Sequence, residues 1–322
     1  MPAAPLPAAP LPAAPLPAAP RPAAALPAGL TARALTPADL AATFAVYADA
    51  ELADTGQVAL EPEDIESDWQ RPSFDLATQS VGVFDGARLV GAAEVFGARR
   101  ADGAVHTAYA GRGIGTWLAA WTEDLARREG GPLVGQTRFA GCAGERLLRG
   151  RGYREIWTSW VLEVPAEAPI TAQPLPAGYG LRTFVPGQDE EVAYRLIEDA
   201  FNEWPDRTPQ AYADWHPRIL GRRGFTPWQL RFAVAPSGEA VGVAYTIRDA
   251  GETAYVDQLA VRRDHRRLGL ARALLVDAFA NGRAHGATRS ELATDSRTGA
   301  LGLYERVGMQ VTQTWHHLGL DL

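Results

Sequence analysis

The six residues Arg266-Arg267-Leu268-Gly269-Leu270-Ala271 stand between an apolar run, 254–261, and an amphipathic one, 273–279. A Gly/Ala-rich turn that opens a helix presents several unpaired backbone N–H groups, and the positive end of the helix dipole, at one spot. Such a spot suits a pyrophosphate, and the two arginines add charge beside it. The chain carries an altered second version. Ala110-Gly111-Arg112-Gly113-Ile114-Gly115 follows 103–106 and precedes the helical run Thr116-Trp117-Leu118-Ala119-Ala120-Trp121. A glycine turn alone also serves an ordinary tight strand-to-helix connection, so its neighbours must decide. The strands before both turns read as antiparallel hairpins, which suits a dinucleotide fold poorly, and no Walker Gly-Lys-Ser/Thr follows either loop.

The elements that position these turns occur twice. Each half opens with helical stretches: from Pro37 with Thr36 as N-cap and again around 62–69, then 189–204 and 209–220 in the second half. Each then shows a hairpin. Residues 80–84 turn at Asp85-Gly86 into 88–93, and 230–234 turn at Pro236-Ser237-Gly238 into 240–245. The strand, glycine turn and long helix follow, then a short strand (132–139 or 289–293), a short helix (144–149 or 298–306) and a closing aromatic strand (155–163 or 310–318). The proline-rich stretch 165–176 is the natural linker. The expected fold class is α/β (α+β): two tandem domains, 30–164 and 179–322, joined by 165–178, each a mixed, mostly antiparallel sheet flanked by helices.

Composition narrows the partners. The length of 322 residues suits two domains with separate cores. A formal charge of −7 speaks against a general nucleic-acid binder. Cys142 is the single cysteine, so neither an intrachain disulfide nor a cysteine metal cluster can form. The six histidines show no zinc-site spacing, and no metal is expected. Residues 1–29 repeat Pro-Ala-Ala-Pro-Leu and are expected to be a solvated, disordered Pro/Ala tail rather than a secretory signal. No apolar run approaches a membrane span. The expected setting is cytoplasmic, as a monomer or homodimer.

With these residues in place the second half resembles the GNAT (N-acetyltransferase) superfamily, whose signature [RQ]-x-x-G-x-[GA] is matched by 266–271. Thr294-Asp295-Ser296 and the helix Ala300-Leu301-Gly302-Leu303-Tyr304-Glu305-Arg306-Val307-Gly308-Met309 resemble two further elements of that family, in the same order and spacing. The first half is similar over roughly 104–153. The whole resembles tandem GNAT proteins, the arrangement also seen in mycothiol synthases.

The resemblance implies acetyl-CoA as co-substrate. Backbone amides of Arg267, Leu268, Gly269, Leu270 and Ala271 would hold the pyrophosphate, with Arg266 and Arg272 close by. The edges of Leu259, Ala260 and Val261 would pair with the pantetheine amides, and Asp295 stands where the family often has an asparagine at the cofactor. It also implies direct attack of a neutral amine on the thioester, so Cys142 is not needed as a nucleophile. Tyr304 matches the general acid that protonates the departing thiolate; without the resemblance it reads as a core aromatic. Asp257 is placed to be the base, directly or through water, or else is a solvated or capping carboxylate. Arg112, Gly113, Ile114, Gly115 and Thr116 keep the backbone cradle of a second CoA site. Aligning Gly152 with Gly308 puts Leu148 opposite Tyr304, so the first domain is expected to be catalytically silent.

The acceptor reading rests on the early helices of the second half. Phe201, Trp204, Trp215, Phe225 and Trp228 stand among Glu198, Asp199, Glu203, Asp206 and Asp214, a mixture that suits a pocket for a cationic amine or simply a core with a wet acidic face. The expectation is a small-molecule amine acceptor. A protein or peptide amine, and a non-catalytic acyl-CoA sensor or scaffold, are the competing readings.

Overall fold

The structure, a computed structural model, describes residues 25–203, 207–248 and 252–322. The repetitive tail expected over 1–29 lies almost wholly outside the described residues, as do Trp204 and Asp206. The first half runs β1 (Thr31–Arg33), α1 (Leu40–Thr55), α2 (Pro62–Trp69), α3 (Leu76–Gln79), β2 (Ser80–Asp85), β3 (Arg88–Phe96), β4 (Arg100–Val105), α4 (Ile114–Arg128), β5 (Leu133–Phe139), α5 (Ala143–Gly150) and β6 (Arg154–Val164). The second runs β7 (Gly180–Thr183), α6 (Glu190–Phe201), α7 (Tyr212–Trp215), β8 (Leu230–Val234), β9 (Ala240–Arg248), β10 (Thr253–Val261), α8 (Leu270–Ala284), β11 (Arg289–Asp295), α9 (Leu301–Glu305) and β12 (Gln310–Asp321).

Both hairpins and both strand–turn–helix units form as the sequence pattern requires. The one clear departure is 209–220. Pro217 cannot donate within a helix, and this stretch breaks into the four-residue α7 and a 3-10 turn, His216–Arg218.

The two halves share one twelve-stranded sheet in the order β1-β2-β3-β4-β5-β12-β6-β11-β10-β9-β8-β7. The last strand of each half has crossed to the other. β12 lies against β5 from Trp315↔Phe139 to Asp321↔Leu133, and β6 lies against β11 from Ser290↔Val164 to Asp295↔Ser159. The cores follow the strands. Leu162 and Val164 of β6 are buried with Leu270, Leu274 and Phe279 of α8, while Leu318 of β12 is buried with Ala119 and Leu125 of α4. Residues 165–178 are strapped to the second half. Arg283 donates to the carbonyls of Pro165 (3.0 Å) and Ala168 (2.9 Å), and Ile170 and Leu175 pack on the α8 core.

The duplication reaches further than the glycine turns. Leu26-Pro27-Ala28-Gly29 before β1 matches Leu175-Pro176-Ala177-Gly178 before β7. In each half an arginine just after this turn makes a two-armed ion pair, Arg33 with Asp39 and Arg182 with Asp189, and sits over an aromatic ring, Phe84 or Phe232. In both halves the first helices cover one face of the sheet. The glycine-turn helix, α4 or α8, covers the other.

Candidate active site

The parallel register of β10 and β11 runs from Thr253↔Arg289 to Val256↔Leu292 and stops there. Asp257 is the extra residue of a bulge in β10, which resumes against β9 at Gln258↔Tyr245 and continues to Val261↔Gly242. A bulge bends its strand and re-aims a side chain. Beyond it β10 follows β9 while β11 follows β6, so the strands diverge. The β11-facing edge of Leu259, Ala260 and Val261 then has no strand partner among the described residues. That edge is free to pair with an extended amide chain in the manner of strand addition.

A 3-10 turn, Arg263–His265, leads from β10 into the glycine loop. Arg267 (φ +64°) and Gly269 (φ +83°) are both left-handed, and Gly269 caps α8. Alternating handedness of this kind curls successive N–H groups into an anion-binding concavity at the helix start. A Cβ on Gly269 would meet nothing within 4 Å, so it is the backbone angle, not crowding, that favours glycine. The first half repeats the geometry with Gly111 (φ +75°) and Gly113 (φ +88°) at the start of α4. Arg267 holds the same conformation without a glycine, at a cost of roughly 1 kcal/mol.

The side chains divide differently from the sequence expectation. Arg266 is committed elsewhere: its Nη1 and Nη2 donate to Glu203 (2.8 and 2.7 Å) and its Nε to the Val261 carbonyl (2.9 Å). It ties the end of β10 to the segment after α6 and so shapes the loop rather than facing an anion. Arg272, in the first turn of α8, has a buried Nε with no hydrogen-bond partner among the described residues. Asp295 is also spent locally. It accepts from the Arg297 backbone N–H (2.9 Å) and guanidinium (2.6 Å), which makes it a turn-former, not a free cofactor contact.

Tyr304 sits on α9, half-buried against the α8 core. Burial pushes its phenol above the ordinary tyrosine value, and the Thr294 hydroxyl at the end of β11 counters part of that rise. A phenol in this state stays protonated at neutral pH. Burial also pushes the Asp257 carboxyl upward. Arg218 and Arg222 pull it down, and Asp64 and Asp68 push it further up. Tyr245 and Tyr255, flanking Asp257 on β9 and β10, are held well above the ordinary tyrosine range by burial and by that carboxylate. The Oη of Tyr245 and the Oε1 of Gln258 are buried without partners, on adjacent strands at the bulge.

Of the aromatic and acidic residues that suit either an amine pocket or a core with a wet acidic face, those among the described residues largely follow the second reading. Trp215 is 1% exposed in the core under α6, and Phe225 packs edge-on against Phe184. Trp228 instead stacks on His285 at 4.1 Å. Glu198 is paired with Arg207, Glu203 with Arg266, and Asp214 accepts from the backbone of Ser73 in the first half. Asp199 lies on α6 with these neighbours. The charges that act on the Asp257 carboxyl come from elsewhere, from α2 of the first half and from 218–222. Asp64 and Asp68 on α2 are four residues apart, the spacing that puts like charges on one helical face.

In the first half the matching place for Tyr304 holds Leu148, which is 2% exposed in an apolar core. Arg112 there donates to the Ala108 carbonyl (3.2 Å) and lies over the Tyr109 ring, while Gly115 and Thr116 form the first turn of α4. Buried Cys142 caps α5, its sulfur accepting from the Glu145 N–H. No group of residues that could hold a metal ion occurs among the described residues. No described helix is long and apolar enough to cross a membrane.

Comparison with known proteins identifies the family of the chain that carries this cradle, divergent strand pair and phenol. Residues 190–309 match the acetyltransferase (GNAT) family. The chain is 31% identical over 238 residues to a mycothiol acetyltransferase of Thermobispora bispora, covering 70% of this chain and 78% of that one. Among solved structures it resembles a GCN5-related N-acetyltransferase from Sphaerobacter thermophilus (TM-score 0.73, 31% identity, 92% of this chain and 97% of that one). It also shares its fold with a tandem GNAT protein from the clavulanic acid biosynthesis pathway (TM-score 0.70, 19% identity, covering 91% and 98%). The chain belongs to the GNAT family. It is a tandem member and an N-acetyltransferase enzyme.

Proposed function

We propose that the second half transfers an acetyl group from acetyl-CoA to the primary amine of a small molecule, and that the first half has no chemistry of its own. The observation that carries this is the divergence of β10 and β11 beyond the bulge at Asp257, with the half-buried phenol of Tyr304 beside Thr294 at the end of β11. The backbone amides of 267–271 and the Arg272 guanidinium would hold the pyrophosphate, and the edge of Leu259, Ala260 and Val261 the pantetheine arm. An N–H on that edge is also suited to stabilising charge on the thioester oxygen.

In the reaction Asp257 accepts a proton from the ammonium, directly or through water, leaving a lone pair. The amine nitrogen attacks the thioester carbon, the C–S bond breaks, Tyr304 gives its proton to the departing thiolate, and the proton shed by the new amide nitrogen returns to the Tyr304 phenolate through water. Because the Asp257 carboxyl titrates above its ordinary range, kcat/KM should climb with pH through that raised value. The names of the relatives make mycothiol lacking its acetyl group the first acceptor to try, followed by a panel of small primary amines.

Thiol release with acetyl-CoA tests the reading. Tyr304→Phe should lose most turnover and Leu148→Ala should keep it. Full activity in Tyr304→Phe would remove the phenol from the mechanism. Thermal stabilisation by acetyl-CoA should survive Tyr304→Phe and weaken in Arg272→Gln.

A further inference from the structure

α2 and α7 end alike, the first on Asp68-Trp69 and the second on Asp214-Trp215. Each tryptophan packs on the same cross-strand pair of its own half. Trp69 lies with Ala92 and Ala104, opposed on β3 and β4, and Trp215 with Val243 and Ala260, opposed on β9 and β10. Two residues along the same strands, and so on the same face, comes a second opposed pair. It is Glu94 with Asp102 in the first half and Tyr245 with Gln258 in the second.

The first half completes this corner with its own side chains. The Trp69 indole N–H donates to Glu94 at 2.6 Å, and Asp102 accepts from Arg100 at 3.0 Å. The second half does not. Trp215 is 1% exposed and Tyr245 fully buried. The Trp215 Nε1, the Tyr245 Oη and the Gln258 Oε1 are all shut off from solvent, and none has a hydrogen-bond partner among the described residues. Buried polar atoms nearly always have one. An indole N–H only donates, an amide oxygen only accepts, and a phenol does either. One oxygen carrying both a proton and lone pairs answers all three: it accepts from the indole and the phenol and donates to the amide oxygen. An ammonium has no lone pair for the indole, and a carboxylate or ketone has no proton for Gln258.

We propose that Trp215, Tyr245 and Gln258 form a subsite for a single hydroxylic oxygen, supplied by a water or by a hydroxyl of the acceptor. The subsite begins one residue beyond the bulge at Asp257, where β10 starts to follow β9 alone. An acceptor hydroxyl held there would fix the acceptor beside the point at which the strands part. That arm rests on the second half being the acetylating one; the water arm does not. The duplication then separates the halves a second time: one closes this corner with a tryptophan–glutamate bond, and the other leaves it open to a ligand.

The test is the melting temperature of the intact, ligand-free chain in wild type, Tyr245→Phe, Gln258→Met and the double variant. Beside it stands the KM for an amine of the panel that bears a hydroxyl, and for its deoxy counterpart. Removing an unpaired buried hydroxyl stabilises a protein, whereas removing one that holds an oxygen does the reverse. If water is the occupant, each single variant should melt about 2 °C lower, and the double variant should lose less than the sum because both losses concern one oxygen. If the acceptor supplies the oxygen, the variants should melt at or above wild type. Tyr245→Phe should then raise the KM of the hydroxylated amine about five- to tenfold and leave that of the deoxy amine and of acetyl-CoA in place. Melting at or above wild type with every KM unmoved overturns the inference and leaves the acetylation reading standing. If no amine is acetylated, that reading falls by itself and melting alone decides: a fall supports the subsite, and any other result overturns it.

Discussion

Tyr304 and Leu148 occupy matching positions, each four residues before a left-handed glycine, Gly308 (φ +90°) or Gly152 (φ +96°). One is a phenol held protonated, the other a filler of an apolar core, and on the proposed mechanism only the first can serve as an acid. Removing a general acid costs about 10²–10⁴ in rate, and Tyr304→Phe should fall in that range, read as kcat by thiol release. A different residue governs stability. Glu94 is buried on β3 with the Trp69 indole N–H donating to it at 2.6 Å, and burial, with Asp102 and Asp68 nearby, carries its pKa to about 8. The folded chain then binds this proton more tightly than the unfolded one. Its contribution is intact below the unfolded value of 4.5 and is lost as pH rises through about 8, a change on the order of a few kcal/mol. Glu94→Gln keeps the acceptor and removes the ionisation. Its melting temperature should vary less between pH 5 and 8 than that of the wild type; equal slopes would show that Glu94 does not titrate there.

At the level of elements, the two glycine turns provide matched controls. Gly269→Ala and Gly113→Ala both force a Cβ into a left-handed angle, so each should cost about 1 kcal/mol in denaturant unfolding. Only Gly269→Ala should also raise the KM for acetyl-CoA, if turnover belongs to the second half alone. Arg267→Gly relieves the same strain and should be neutral or stabilising. These turns were legible in the sequence because a strand, a glycine loop and a helix each leave a local pattern. So were both hairpins and the short helix that carries Tyr304. What stayed hidden was every pairing set by distant chain: Arg266 with Glu203, and Arg222 with Glu61 and Asp64 at the start of α2. Composition left the aromatics of 201–228 open between pocket and core for the same reason, since it cannot tell that Trp215 is core while Trp228 stacks on His285.

Across the whole molecule the exchanged strands make the halves one folding unit. The boundary read at the proline-rich stretch follows chain order, but β6 and β12 place their side chains in the opposite cores. Leu318, fully buried against α4, belongs by sequence to the second half. Leu318→Ala should cost about 2–5 kcal/mol, and calorimetry should show one transition moving down as a whole. Two separated transitions, with only one displaced, would mean that the halves unfold independently.

The exchange also orders events during synthesis. His317 bonds to Thr137 across 180 residues of chain, so β5 has no neighbour on that side until 310–321 have left the ribosome. The first half emerges early with an exposed sheet edge, a state prone to pairing with other chains. It must wait, shielded, for almost the full length of the second. A stalled or shortened message would therefore leave no autonomous domain behind, only a sheet missing its central strand.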